Sequence, residues 1–132
     1  MTYLGFQKLV ERLWAEIPEA FKEGLQGVHV LPEAKPEPGL PGVWWLGEYL
    51  DPGPPSALGG FEGLGRHIAL YYGSFLAVAD EGFDWEGEVW ETLLHELRHH
   101  LESLAGRRDL VEEDLRRLAA FRRGGPPGEG GR

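Results

Sequence analysis

Residues 95–100 read His-Glu-Leu-Arg-His-His and contain an HExxH pattern. On a helix, residues four apart stand one above the other, so the imidazoles of His95 and His99 can reach a single metal ion. Glu96 falls about 100° around the helix from His95, beside such an ion rather than on it. From there its carboxylate can take a proton from a water polarised by the metal, the general-base step of a zinc hydrolase. The bland alternative is a polar helix face that happens to carry two histidines. Three features count against it. The match lies mid-helix, the two histidines share a face opposite a leucine stripe, and three of the five histidines of the chain fall within six residues. His100, about 140° around from His95 and nearer the apolar edge, reads as a packing or supporting residue.

Composition limits what else the chain can be. Its 132 residues are enough for one domain with a modest core. There is no cysteine, so disulfides and thiolate metal sites are excluded and any metal must be held by histidine and carboxylate. No run of 18 apolar residues spans a membrane, and the first residues lack the basic-then-apolar order of a signal peptide. Cytoplasm is the expected location. The net charge of −9 is uneven: residues 1–106 carry 6 Lys/Arg against 17 Asp/Glu. Such an acidic surface suits nucleic acid poorly, since phosphate neutralisation needs a basic face. The arginine pairs after residue 106 interleave with Asp109, Glu112, Glu113 and Asp114, as on a solvated helix. Ten arginines against three lysines, with ten prolines, agree with a heat-adapted protein.

The elements that must position the histidines can be read from periodicity. Leu4 to Ile17 forms an amphipathic helix with Thr2 as a candidate N-cap and Pro18 after its end. Residues 19–24 add a helical turn, and 27–31 form a short strand. Residues 32–42, with four prolines and two glycines, form a loop. Val43 to Leu50 is a second strand, residues 51–65 a Pro/Gly-rich connection, and Arg66 to Tyr72 a third strand. A short helix covers Gly73 to Asp80. The motif helix runs from Trp85 or Glu86 to Ala105, with Trp90, Leu93, Leu94, Leu97, Leu101 and Leu104 on its buried arc. Glu88, Glu91, His95, His99 and Glu102 gather on the opposite face. A last helix spans roughly Leu110 to Phe121, and the domain is expected over residues 1–123, with a disordered Gly/Pro-rich tail at 124–132.

Taken together, VHVLP, LGEYL, RHIALYYGSFL and TLLHELRHH resemble the small, minimal zincin-like metallopeptidases of bacteria. Members of that family show a similar strand running into "LY-G", followed by HExxHH on a long helix. The resemblance implies an α+β fold, with about three strands in a short mixed or antiparallel sheet packed on helices. It also implies that the strand at Arg66 to Tyr72 borders the substrate cleft. The third metal ligand departs from the family pattern, in which a glycine three residues past the second histidine precedes an aspartate. Glu102 stands at that glycine position. Glu102, Asp109 and Glu113 are the candidates, and Glu102 is preferred because helical side chains lean toward the N-terminus, back toward His99. No oxyanion donor stands out; His67, Tyr71 and Tyr72 are candidates that read equally as sheet aromatics and an exposed histidine.

The expected function is that of a zinc peptidase, with His95, His99 and Glu102 holding one Zn2+ per chain and Glu96 as general base. Glu91 or Thr92, a turn earlier, could orient His95. Nickel, cobalt or manganese would also suit the donors. The expected partner is a short or flexible peptide or small protein. Two other classes compete: a non-catalytic metal-binding domain with closed coordination, and an interaction module presenting Trp44 or Trp45, of which strand alternation should bury one.

Overall fold

Thr2 opens the first helix as expected: its Oγ1 accepts from the Gly5 N–H at 3.0 Å, satisfying a donor that the helix cannot. The computed structural model describes residues 1–51, 65–105 and 116–117. Helix α1 covers Tyr3–Glu16 and buries Phe6, Val10 and Leu13 along one stripe. A 3-10 turn at Glu19–Lys22 leads into strand β1 (Val28–Leu31). Two-residue strands follow, β2 (Lys35–Pro36) and β3 (Trp44–Trp45), then β4 (Gly47–Leu50), β5 (His67–Tyr71), α2 (Tyr72–Val78) and α3 (Trp85–Ala105). The expectations for residues 110–121 and 124–132 lie outside the described residues.

The fold is α+β, with one sheet of three strands and one of two. In the larger sheet β5 is central, parallel to β1 and antiparallel to β4; in the smaller, β2 pairs antiparallel with β3. The Val43–Leu50 segment is therefore two strands in two sheets, not the one strand that its composition suggests. The Tyr71 N–H donates to the carbonyl of Leu46, the residue between them, at 2.9 Å. The Pro/Gly-rich segment 32–42 is likewise not wholly loop, because β2 forms a short ladder there against β3. Trp44 and Trp45 are both half-buried, which corrects the expected split into one inside and one outside.

The core lies between the sheet and the helices. Ile68 and Leu70 of β5 meet Phe6, Val10 and Leu13 of α1, Phe75 of α2, and Val89, Trp90, Leu93 and Leu97 of α3. Fully burying one such side chain contributes roughly 1.5–3 kcal/mol. That stripe fixes the rotation of α3 and turns its polar face outward. Leu101 continues the stripe, whereas Leu104 is 43% exposed and does not share in it. Gly73, the glycine of the "LY-G" pattern, has a steric reason. A Cβ there would meet the Ala34 nitrogen at 2.5 Å, so only glycine lets the chain after β1 cross the start of α2.

Candidate functional site

Strand β4 lies along α3, and a glycine sets how closely. A Cβ at Gly47 would sit 2.7 Å from Thr92 Cγ2 and 2.8 Å from Leu70 Cδ2. Thr92 itself is held by its Oγ1–H, which donates to the Glu88 carbonyl at 2.8 Å. Its hydroxyl thus serves its own helix, not the orientation of His95. Because Leu46 is paired to β5, ladder alternation turns the Tyr49 N–H away from β5 and toward α3. There it faces the Glu96 carboxylate and favours its charged form.

Glu96 is only 6% exposed, whereas His95 and His99 stand exposed on the rim beside it. Burial pushes the Glu96 carboxyl above its ordinary value and nearby Glu48 adds to this, while His99 and the Tyr49 N–H oppose the shift. A carboxyl with a raised pKa on a cavity wall is a group suited to proton transfer near neutral pH. The imidazoles of His95 and His99 meet edge to face, their centroids 4.9 Å apart. Together with Glu88, Glu91, Thr92 and Ser103 of α3, these three residues form one wall of a cavity of about 870 Å³. Residues 45–49 form the other.

The other predicted residues fall in different places. Glu102 is exposed and accepts from Arg98 Nε at 3.2 Å, with His99 Nδ1 3.9 Å from its second oxygen. Asp109 and Glu113 lie outside the described residues. His67 and Tyr71 face away from α3: the Tyr71 hydroxyl donates to Glu48 at 2.7 Å, and the His67 Nδ1 lies 3.0 Å from the Gly65 carbonyl. The Tyr72 hydroxyl donates to the Met1 carbonyl. None of these three lines the cavity beside His95, and β5 does not border it. Strand β5 is hydrogen-bonded on both sides, so the bordering strand is the edge strand β4.

His100 is fully buried, as its position near the apolar edge suggested. Its Nε2 lies 2.7 Å from the Glu23 carbonyl, which fixes Nε2 as the donor. Nδ1 then accepts from the Tyr49 hydroxyl at 3.0 Å. The same hydroxyl lies 3.1 Å from Ser103 Oγ. Tyr49 is thereby held by α3 through its side chain, with its backbone N–H facing Glu96. Sequence reasoning missed Gly47, Glu48 and Tyr49. LGEYL contains them, but only the pairing of β4 brings them to α3.

A sequence profile of the zincin-like metallopeptidases matches residues 25–120. The chain belongs to that family. No curated protein matches it. Among solved structures it is similar to a conserved hypothetical protein from Thermus thermophilus, with 84% identity and a TM-score of 0.73. That match covers 80% of this chain and 99% of the other. No helix among the described residues is long and apolar enough to cross a membrane.

Zinc binding is general to zincins, and the residues can be tested against it. Two imidazoles on one helical face, with no thiolate in the chain, suit a nitrogen-and-oxygen donor set. Among the described residues no third histidine or carboxylate is gathered with them, since Glu102 is turned to Arg98. The fit therefore extends to two donors.

Proposed function

We propose that this zincin-like protein is a zinc-dependent peptidase. His95 and His99 would hold the ion, and Glu102 would complete the protein's donors by exchanging Arg98 for the metal. Bound zinc would supply Lewis acidity and lower the pKa of water. Glu96 accepts the proton of the attacking water and returns it to the leaving nitrogen, the double role that a carboxyl of raised pKa performs well. The edge strand β4 offers backbone groups to an extended peptide. The observation that carries the reading is the buried Glu96 carboxylate, faced by the β4 backbone and flanked by His95 and His99 on one cavity wall.

A second reading is metal binding without turnover, which would need closed coordination and hence Glu102 and one more donor released to the ion. One experiment separates the two. Untagged protein is analysed for metal as wild type, His99→Ala, Glu102→Gln and Glu96→Ala, and each is assayed on a flexible peptide library. The peptidase reading expects about one zinc per chain, lost in His99→Ala, weakened in Glu102→Gln and kept in the inactive Glu96→Ala. Zinc without any hydrolysis supports the second reading, and no zinc after reconstitution overturns both. The assay belongs at elevated temperature, because the arginine-rich composition and the Thermus relative support a heat-adapted protein.

A further inference from the structure

The face of the three-stranded sheet turned away from α3 carries a second histidine pair. Strand alternation puts His29 of β1, His67 of β5 and Glu48 of β4 on this face. The imidazoles of His29 and His67 meet edge to face, their centroids 4.8 Å apart and their planes at 86°. This is nearly the arrangement of His95 and His99, reached through strand pairing rather than helical spacing. Both line a second cavity of about 420 Å³, which shares Glu48 with the first and also holds Glu33, Lys35 and Tyr71.

Three features suit the pair to a metal. His67 is 97% buried, being 3% exposed, so its ring has little freedom to move. Its Nδ1 lies 3.0 Å from the Gly65 carbonyl, to which it donates, and that leaves Nε2 with a free lone pair. A backbone carbonyl on the far nitrogen is the usual support of a metal-ligating imidazole. His29 is exposed, so an ion has a route in. Among the described residues no carboxylate is gathered with the pair as a third ligand; the neighbouring Glu48 accepts through Oε1 from Lys35 at 2.6 Å and from Tyr71 at 2.7 Å. Two nitrogens and open positions favour Cu2+ over Ni2+ and Zn2+ by the general order of affinities.

We infer that His29 and His67 form a second transition-metal site, a two-histidine chelate for Cu2+ or Ni2+ that ties β1 to β5 and leaves positions for water or an external donor. It is independent of the site on α3, and so is its test. The full-length, untagged His95→Ala/His99→Ala protein is titrated with CuCl2 in a non-coordinating buffer and followed by calorimetry and electron paramagnetic resonance. The expected result is one Cu2+ per chain, nitrogen hyperfine coupling from two imidazoles, and a thermal midpoint that rises with the metal. Adding His29→Gln, a change at an exposed position, should abolish stoichiometric binding and the rise in midpoint while leaving the metal-free midpoint unchanged. Adding His67→Gln should do the same to binding. Absence of stoichiometric Cu2+ in the parent, or Cu2+ binding that survives His29→Gln, would overturn the assignment.

Discussion

Replacing Gly47 with alanine tests whether close contact between β4 and α3 is what builds the cavity wall beside Glu96. The added methyl carbon would lie 2.7 Å from Thr92 Cγ2, 2.8 Å from Leu70 Cδ2 and 3.2 Å from the Ala69 carbonyl oxygen. Carbon atoms pack best at about 3.5–4.0 Å, so the strand must move by roughly 1 Å or its neighbours must yield. Neither yields easily. Leu70 is fully buried, and Thr92 is pinned by its bond to the Glu88 carbonyl. Overpacking of this kind costs about 1–3 kcal/mol. The loss of backbone freedom in the unfolded chain returns about 0.4–1 kcal/mol. The net expectation is a destabilisation of about 1–2 kcal/mol. With a guanidinium slope of roughly 4 kcal/mol per molar, the midpoint falls by about 0.4 M. Gly82→Ala is the control, because a Cβ there meets nothing within 4 Å. Displacing β4 also draws the Tyr49 N–H from Glu96, and a shift of about 1 Å at a catalytic group can cost on the order of 100-fold in turnover. Denaturation curves and peptidase kcat are measured on both variants. If Gly47→Ala matches Gly82→Ala in midpoint and wild type in kcat, the close-packing argument is wrong.

Glu96→Gln should lower kcat by about 10²–10⁴-fold with zinc content unchanged, read by activity alongside metal analysis. Its effect on stability has a definite sign in the metal-free protein. The Glu96 carboxyl is raised in the fold, so the folded state holds a proton that the unfolded chain has released, and stability falls as pH rises from the ordinary value of 4.5 through the raised one. Glutamine should remove that slope in guanidinium midpoints taken across the window. His100 acts in the opposite direction: burial lowers its pKa, so the unfolded chain takes up the proton first and stability is lost as pH falls below about 6.5. His100→Ala should remove this acid-side loss and cost about 2–4 kcal/mol at neutral pH, because it opens a cavity and strips partners from Tyr49 and Glu23. A neutral-pH cost under about 1 kcal/mol would count against the buried network. Asp84→Ala should cost about 1 kcal/mol through loss of the bond from the Gly87 N–H to Asp84 at the start of α3, seen as a lower thermal midpoint.

Helix α3 was legible in the chain because its information is local. A period of 3.6 places Trp90, Leu93 and Leu97 on one face and His95 and His99 on another, and no distant residue is needed to see it. Thr2 as a cap, α1, β1 and the order of elements up to α3 follow from the same kind of local pattern. Val89 is fully buried yet lies outside the arc drawn from the leucines, because β5 and α1 cover a wider face than the leucines mark. The break of residues 43–50 into β3 and β4 was not legible, since VWWLGEYL reads as one continuous apolar strand.

The sequence by itself determined the chemistry on offer: two imidazoles and a carboxylate on one helix, with no thiolate to compete. The tertiary structure decided their environment. Glu96 is buried with a raised pKa only because β4 is seated against α3, and β4 is seated there only because it pairs with β5 and carries glycine opposite Thr92. His100 becomes a clamp on Tyr49 through partners 51 and 77 residues away along the chain. His29 and His67 meet through a parallel pairing that no local pattern specifies. Periodicity reports which face a residue occupies. Which strand comes to cover that face is fixed by long-range pairing and packing.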